Sequence, residues 1–315
     1  MQSLHPDAIA LLDARHDVEY TVVDDFSEPN LLAHVDGVDA VTIRDAPLPR
    51  SVVAAARSLK VISRHGVGYD NIPIDACTDA GIPVTVVGPV NAISVAEHTL
   101  MLMLAAARAA IELDDAVRHG DFAARGRVHG IELRGRTLLV IGYGRIGREV
   151  ASRAISFGMR VCVFDPFVTS ATEQVELLDD LDSALARADV VSLHVPFTDA
   201  TRNMIGERQL ALMPAGSILV NASRGGLVDE QALLASVQSG HLHGAGLDTF
   251  AVEPVAAGSP LLSERRIVLS PHSAALTEQA LVAMGVATVT NALAALDGTL
   301  DLELVVNPSV FEKAS

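Results

Sequence analysis

Residues 137–165, TLLVIGYGRIGREVASRAISFGMRVCVFD, carry the pattern that decides the fold. A β-branched run leads into Gly142, Gly144 and Gly147, a helical segment follows, and a second apolar run ends at Asp165. This order of strand, glycine-rich turn, helix and strand is typical of a dinucleotide-binding βαβ unit. The start of the helix offers free backbone N–H groups, which bind phosphate. The segment therefore predicts a dinucleotide site.

The three glycines and Asp165 have separate expected roles. Gly142 permits the tight turn, Gly144 lets the backbone approach the pyrophosphate, and Gly147 lets the helix pack close to the strand. Asp165 lies 18 residues after Gly147, where a carboxylate accepts hydrogen bonds from the adenosine ribose hydroxyls. A 2′-phosphate would meet like charge at Asp165, and the next basic residue is Arg187. We therefore predict NAD rather than NADP as the cofactor.

Outward from this segment, short β-branched runs alternate with helical patterns along all 315 residues, which is typical of α/β proteins with parallel sheets. We predict two Rossmann-like, doubly wound parallel-sheet domains, the smaller one flavodoxin-like and discontinuous. The predicted substrate-binding domain comprises residues 1–97 and 288–315, and the predicted NAD-binding domain comprises residues 98–287. The predicted strands are Tyr20–Val23, Ala40–Ile43, Val61–Ser63 and Val84–Val86, then Thr137–Ile141, Arg160–Phe164, Val190–Leu193, Ser217–Val220, Gly244–Leu247 and Ile267–Leu269.

Two long apolar helices are also predicted. The first runs from Val95 to about Ala110, and Ser94-Val95-Ala96-Glu97 in front of it matches a capping box. The polar segment Arg118–Arg136 is predicted to be a connecting loop. The second helix runs from about Glu278 to Leu296 and leads into an extended tail at Leu302–Val306.

Composition narrows the possible partners. A formal net charge of −16 argues against nucleic acid and anionic membrane, since both require a basic surface. The most apolar run, Leu100–Ala107, is far shorter than the roughly 20 residues that span a bilayer. The N-terminus has no signal-peptide pattern. Cys77 and Cys162 each lie in an apolar stretch and are expected to be buried and reduced, so we expect a cytoplasmic protein.

Three polar segments follow later strands: Asn221–Gly226, Asp248–Pro254 and Pro271–Ala275. Open α/β sheets bind ligands at the carboxyl ends of their strands, so these segments are expected to meet at one edge. They contain an arginine, a glutamate and a histidine, the types that bind a carboxylate and exchange a proton near neutral pH.

At these segments the chain resembles the D-isomer-specific 2-hydroxyacid dehydrogenases, in particular their phosphoglycerate dehydrogenase-like branch. The resemblance runs from SRHGVGYDNIP (Ser63–Pro73) through VAEHT and GYGRIG to PHSAA. It implies an NAD-dependent oxidoreductase that moves a hydride between nicotinamide and C2 of a small D-2-hydroxy or 2-oxo acid. It further implies that Arg224, Glu253 and His272 form the catalytic set.

The expected chemistry matches these residue types. His272 would give a proton to the C2 oxygen during reduction and take one during oxidation. Glu253 would fix the His272 tautomer and raise its pKa. Arg224 would hold the substrate carboxylate and polarise the carbonyl.

The resemblance also implies further contacts. The backbone amides of Val67 and Gly68 should bind the substrate carboxylate, and the helix from Val95 together with the Arg118–Arg136 arm should form a homodimer interface. The residues that it places along the cofactor, besides the three glycines and Asp165, are Arg145, Ile146, Pro196, Thr201, Ala222 and Asp248.

The substrate has two candidates. Arg64 corresponds to a position that phosphoglycerate-oxidising members use for phosphate, which favours 3-phosphoglycerate or another acid with a distal anion. Against this, Val86-Val87-Gly88-Pro89 lacks the Asn-Thr-Pro of that branch, and the chain ends at Ser315 without the C-terminal extension of many members. Hydroxypyruvate or glyoxylate reduction is the alternative.

Two other functional classes compete with this interpretation. Some relatives are NAD(H)-sensing corepressors that bind peptides, and such a binding protein could keep the same three residues. A formate-type dehydrogenase needs no hydroxyl proton, so the pair Glu253 and His272 argues against it. His241 and His243 lack a third ligand at matching spacing, so no metal site is predicted.

Overall fold

The structure is a computed structural model in which residues 3–312 are described. The strands are β1 (Ala40–Ile43), β2 (Val61–Arg64), β3 (Val84–Thr85), β4 (Thr137–Ile141), β5 (Arg160–Phe164), β6 (Val175–Leu178), β7 (Val190–Leu193), β8 (Ser217–Asn221), β9 (Leu242–Leu247) and β10 (Ile267–Leu269). The helices are α1 (Pro6–Asp13), α2 (Glu28–His34), α3 (Arg50–Ala55), α4 (Ile74–Asp79), α5 (Ala92–Ala107), α6 (Ala110–Arg118), α7 (Arg145–Ser156), α8 (Leu181–Leu185), α9 (Glu207–Leu212), α10 (Glu230–Gln238) and α11 (Glu278–Leu296).

The larger of two compact units comprises Ala92–Ala275 and contains a seven-stranded parallel sheet. Its strand order is β10-β9-β8-β7-β4-β5-β6, so the direction of winding reverses between β4 and β7. Ligands bind at such a reversal in open α/β sheets. The strands are buried on both faces, because α5 and α7 cover one side while α8, α9 and α10 cover the opposite side.

The smaller unit comprises Met1–Asn91 and Leu276–Ser315 and contains the parallel sheet β1-β2-β3. Its sheet is covered by α11, and Ser63 Oγ on β2 donates a hydrogen bond of 2.8 Å to the carbonyl of Thr288. The segment after α11 returns to the sheet, where Asn307 Oδ1 accepts from the N–H of Val84 at 2.8 Å. Residues from both ends of the chain therefore build one core.

By length and composition, α11 is the one helix among residues 3–312 that could cross a membrane. In the smaller unit this helix packs against α1 and β2, and Met284, Thr288 and Val289 are buried there. Its apolar character is therefore accounted for by the core that it helps to form.

The predicted fold class, two Rossmann-like α/β units of parallel sheet, is confirmed, but two strand assignments are wrong. Tyr20–Val23 is not a strand, because Tyr20 and Val22 are each about two-fifths exposed (40% and 42%) and offer no buried face. Conversely, β6 was not predicted. It pairs with β5 at the sheet edge, where Glu176 interrupts the apolar pattern of a buried strand.

Three local predictions also differ from the structure. The capping box is wrong because α5 begins at Ala92, so Ser94 lies inside the helix and its Oγ donates to the carbonyl of Ala274 at 2.7 Å. The tail at Leu302–Val306 begins with a short 3₁₀ helix instead of being extended throughout. The units divide before α5 and before α11, whereas the predicted domain boundaries fall inside these helices.

Candidate active site

Two glycines of the turn after β4 are required by the protein's own packing. Gly142 has a φ of 93°, a conformation that side chains rarely adopt, and a Cβ there would lie 2.5 Å from the carbonyl oxygen of His194. A Cβ on Gly147 would lie 2.1 Å from the carbonyl oxygen of Gly142. The turn and the first turn of α7 therefore pack in direct backbone contact.

Gly144 is different, because apart from its own chain neighbours no atom of the described residues lies within 4 Å of where its Cβ would be. It is exposed and immediately precedes α7, a helix of 12 residues whose N-terminus carries free N–H groups and a positive dipole. Packing does not explain a glycine here, whereas close approach of a diphosphate does. The residues of this turn therefore fit a dinucleotide.

Asp165 follows β5 directly and faces the same turn. Its carboxylate accepts hydrogen bonds from the N–H groups of Tyr143, at 2.8 Å, and Phe167, at 2.9 Å. Each carboxylate oxygen keeps lone pairs for a further donor such as a ribose hydroxyl. Of the other predicted contacts, Arg145 is exposed in the first turn of α7, and Ile146 packs partly against the core.

The predicted contacts after β7 and β8 shape a tight turn. Thr201 Oγ1 donates to the carbonyl of Pro196 at 2.8 Å and accepts from the N–H of Thr198 at 2.8 Å. Ser223 Oγ, next to the buried Ala222, donates to the carbonyl of Val195 at 2.7 Å. The turn after β7 is thereby tied to the loop that carries Arg224.

The backbone around Arg224 is held by buried polar contacts. Asn221 at the end of β8 donates from Nδ2 to the Arg224 carbonyl at 2.8 Å, and its Oδ1 accepts from the N–H of Ser223. A Cβ on Gly225 would lie 1.8 Å from the carbonyl carbon of Phe250, so the Arg224 loop packs against the loop that carries Glu253.

Glu253 and His272 form a direct pair. His272 donates from Nδ1 to Glu253 Oε2 at 2.8 Å, and Glu253 Oε1 accepts from the N–H of Phe250 at 2.9 Å. The hydrogen bond that His272 donates to Glu253 raises the pKa of His272 above its ordinary value, although burial and the nearby Arg224 charge act in the opposite direction. Burial favours a higher pKa for Glu253, but the bonds from His272 and Phe250 outweigh it and lower the pKa.

Asp248, predicted along the cofactor, is fully buried at the end of β9 and organises the His272 loop. Its carboxylate accepts from Ser270 Oγ at 2.5 Å and from the N–H groups of Ser273 and Ala274, each at 2.9 Å. Burial alone would raise the pKa of Asp248, but its hydrogen bonds lower it to about 2. The carboxylate is therefore an anion throughout the physiological range.

The structure adds residues that sequence reasoning missed. Asn221 supports Arg224, and Glu230 Oε1 accepts from the N–H of Ala251 at 2.6 Å beside the Glu253 loop. His98 on α5 contacts Ser270 and Asp248 beneath the His272 loop. The one available signal was a histidine in a largely apolar helix. Within residues 3–312, no group of three His, Cys, Asp or Glu side chains could hold a metal ion.

In the smaller unit, Arg64 is the last residue of β2, and Val67 and Gly68 lie in the turn that follows. Arg64 donates from Nε to the Gly68 carbonyl at 2.7 Å and from Nη1 to the His65 carbonyl, and Nη2 lies 3.6 Å from Asp45 Oδ1. The N–H groups of Val67 and Gly68 have no acceptor among residues 3–312. This pair of backbone donors can therefore receive an anionic ligand.

Sequence comparison identifies relatives of the chain. Residues 100–274 match the family described as D-isomer specific 2-hydroxyacid dehydrogenase, NAD binding domain. A D-3-phosphoglycerate dehydrogenase of Methanocaldococcus jannaschii is 40% identical over 98% of this chain. A hydroxypyruvate reductase of Thermotoga maritima is 37% identical over 91% of this chain and 94% of its own length.

Structural comparison agrees with these relatives. The TT0316 protein of Thermus thermophilus superposes with a TM-score of 0.84 at 34% identity, over 97% of this chain and 98% of that one. The present chain is similar to only part of several relatives, since it spans 59% of the M. jannaschii protein and 50–52% of two other phosphoglycerate dehydrogenases.

Proposed function

The chain belongs to the D-isomer-specific 2-hydroxyacid dehydrogenase family, and from this premise we propose that it is an NAD-dependent oxidoreductase acting on a small D-2-hydroxy or 2-oxo acid. The reaction would move a hydride between nicotinamide and C2 of the acid. The observation that carries the proposal is the 2.8 Å contact between His272 Nδ1 and Glu253 Oε2, with the positive charge of Arg224 close enough to affect the His272 pKa.

This geometry assigns the proton to one atom. The Nδ1–H of His272 is committed to Glu253, so Nε2 is the atom that exchanges a proton with the C2 oxygen. In reduction, protonated His272 donates from Nε2, and in oxidation neutral His272 accepts there. Arg224 binds the substrate carboxylate and polarises the C2 carbonyl. NAD supplies the hydride acceptor or, as NADH, the hydride donor.

Substitution Glu253→Gln should change the pH dependence of reduction. Reduction needs protonated His272, so activity is lost as the pH rises through the His272 pKa. Because Glu253 raises that pKa, the substitution should lower it and move the alkaline limb of the kcat/KM profile to lower pH. Stopped-flow or steady-state NADH absorbance across a pH series from mildly acidic to alkaline measures the limb, and an unmoved limb would contradict the assignment of Glu253.

For the substrate we propose an acid with a second, distal anion such as 3-phosphoglycerate, with hydroxypyruvate or glyoxylate as the alternative. The support is a concentration of positive charge beside the turn of Val67 and Gly68. The pKa of His65 falls to about 4, first because of burial and then because of Arg44 and Arg64. Arg64 also donates to the carbonyls of that turn, so it supports the shape of the turn as well as its charge.

A panel of 2-oxo acids tests both the activity and the substrate class. We expect phosphohydroxypyruvate or sulfopyruvate to show a higher kcat/KM than hydroxypyruvate and glyoxylate, and Arg64→Ala to reduce that preference. Arg44→Ala is the variant with which Arg64→Ala is compared. The Arg44 guanidinium donates to the carbonyl of Ser3, whereas the Arg64 guanidinium donates to the carbonyl of Gly68. Unchanged substrate ratios in Arg64→Ala would exclude the distal-anion role. Tight NADH binding without turnover of any 2-oxo acid would favour the NAD(H)-sensing corepressor-like alternative.

The cofactor preference gives a further prediction. We expect kcat/KM with NADH to exceed that with NADPH by about 10- to 100-fold, the worth of one charge-assisted hydrogen bond of about 1.5–3 kcal/mol. Asp165→Asn keeps an acceptor for the Tyr143 N–H but removes the charge, so it should narrow the preference without loss of fold. A wild-type preference for NADPH would overturn the role of Asp165.

We also propose a homodimer in the cytoplasm. Met101 and Phe122, the latter in the 3₁₀ helix Phe122–Gly126, are exposed within the predicted interface. Ile93, Ile111 and Val117, which lie next to its predicted bounds, are exposed as well. Exposed apolar surface of this kind favours association. The reducing compartment is supported by Cys77 and Cys162, which are buried and free, and burial raises the pKa of each thiol to about 11.

A further inference from the structure

His98 lies on α5 beneath the loop that carries His272. Its Nε2 is 2.8 Å from Ser270 Oγ and 3.3 Å from Asp248 Oδ1. Apart from Ser94, Glu97 and Thr99 the rest of α5 is apolar, and the His98 side chain is only 17% exposed. A polar side chain in such a helix is explained by its partners, and both partners belong to the His272 loop or its anchor.

The Asp248 carboxylate accepts hydrogen bonds from residues on both sides of His272. It accepts from Ser270 Oγ two residues before and from the N–H groups of Ser273 and Ala274 just after. The Asp248 carbonyl accepts from the N–H of His272 itself at 2.7 Å. One buried residue therefore defines the path of the backbone through His272.

His272 needs this support because its φ is 51°, in the left-handed region. Non-glycine residues stay in that region only when their surroundings hold them there, and such residues cluster at functional sites. The left-handed backbone accompanies the approach of Nδ1 to Glu253. A loosened loop would release both together.

The direction of the His98 hydrogen bonds follows from Asp248. Ser270 uses its hydroxyl proton on Asp248 Oδ1, at 2.5 Å, so it can only accept from His98. The Asp248 carboxylate is ionised and also accepts. Both contacts therefore require a proton on Nε2 of His98, and a side chain without a donor at this place cannot replace them.

We propose that His98 is a positioning residue for the His272 acid–base group, acting through a donated hydrogen bond to Ser270 and the Asp248 carboxylate. The kinetic part of the inference rests on the proposed function. The structural part does not, because the link from His98 to His272 exists without substrate. The charged groups that act on His272 are Glu253, Arg224 and Asp248, and none of them is changed by a substitution at His98.

Two variants separate hydrogen bonding from packing. His98→Leu fills a similar volume with an apolar side chain that has no hydrogen-bond donor, whereas His98→Gln keeps an N–H donor. We expect His98→Leu to lower the His272 pKa toward its ordinary value and to decrease kcat for hydroxypyruvate reduction about five- to tenfold. The dissociation constant for NADH should change less than about twofold, because the glycine turn is untouched. His98→Gln should resemble the wild-type protein.

The primary measurement is the titration of His272 by imidazole NMR in the full chain bound to NADH. It needs no turnover, so absence of activity on every 2-oxo acid would reject the proposed function and leave this test intact. An unchanged His272 pKa in His98→Leu would overturn the inference, and so would equal loss in His98→Leu and His98→Gln. Should His98→Leu fail to fold, Ser270→Ala removes the acceptor of the same bond, and an unmoved His272 pKa there would overturn it equally.

Discussion

Substitution His272→Ala is expected to lower kcat for 2-oxo acid reduction by about 10²-fold or more, the contribution of a general acid. Nε2 of His272 is the atom assigned to the proton, since Nδ1 is held by Glu253. The residual activity of His272→Ala should be nearly independent of pH, because the group whose titration shapes the alkaline limb is gone, and the fold-loss should therefore be largest below the His272 pKa. Steady-state NADH absorbance with the best 2-oxo acid of the panel measures it.

A matched histidine serves as the control for this substitution. His34 at the end of α2 is exposed, and its Nδ1 lies 2.8 Å from the carbonyl oxygen of Asn30 one helical turn earlier, so His34→Ala should keep full activity. NADH affinity, measured by fluorescence, should be unchanged in both variants because the turn of Gly142 to Gly147 does not include His272. Retention of more than about a tenth of the activity in His272→Ala would remove it from the proton-transfer role.

Arg224→Lys should decrease kcat/KM by about 10²–10³-fold although the positive charge is kept. Lysine lacks the planar fork of donors that holds a carboxylate while polarising the carbonyl beside it. The loop itself should survive, because Asn221 holds the backbone carbonyl of residue 224 and not its side chain. Both KM and kcat are expected to worsen, which separate fits to substrate saturation curves resolve.

Arg208→Lys is the matched control. Arg208 lies on the surface of α9, and its guanidinium pairs with Asp182 of α8. The substitution should leave kcat/KM unchanged, since exposed ion pairs contribute little. The His272 titration gives an independent reading of Arg224, whose charge acts to lower the His272 pKa. Wild-type kinetics in Arg224→Lys would mean that the arginine has no contact with the reacting acid.

Features governed by local backbone rules could be predicted from the sequence. The turn at Gly142, Gly144 and Gly147 is specified by steric requirements within a few residues, and its strands β4 and β5 agree with the structure. The family was predicted from a resemblance, because several of its motifs occur in this chain in the same order. The helix at α11 matches its prediction because Thr277 caps it from Oγ1.

Features that depend on distant partners could not be predicted. His98 contacts Ser270 across 172 residues, and no local pattern marks that pairing. The family resemblance places Asp248 along the cofactor, and that contact stays a prediction. Its four hydrogen-bond partners within the fold, which no local pattern marks, are seen only in the structure. The strand predicted at Tyr20–Val23 is wrong because β-branched composition alone cannot create a buried face.

The covering of β1 and β2 by α11 has a consequence for the order in which a nascent chain folds. Ser63 and Thr288 are 225 residues apart, while the larger unit is one continuous stretch of chain between them. When the ribosome has reached residue 275, every strand of the larger sheet has been synthesised, but α11, the helix that covers the smaller sheet, has not. The face of β1 and β2 that α11 covers therefore stays uncovered until translation passes α11, whereas the residues that pack on the opposite face, from α3 and α4, are already made.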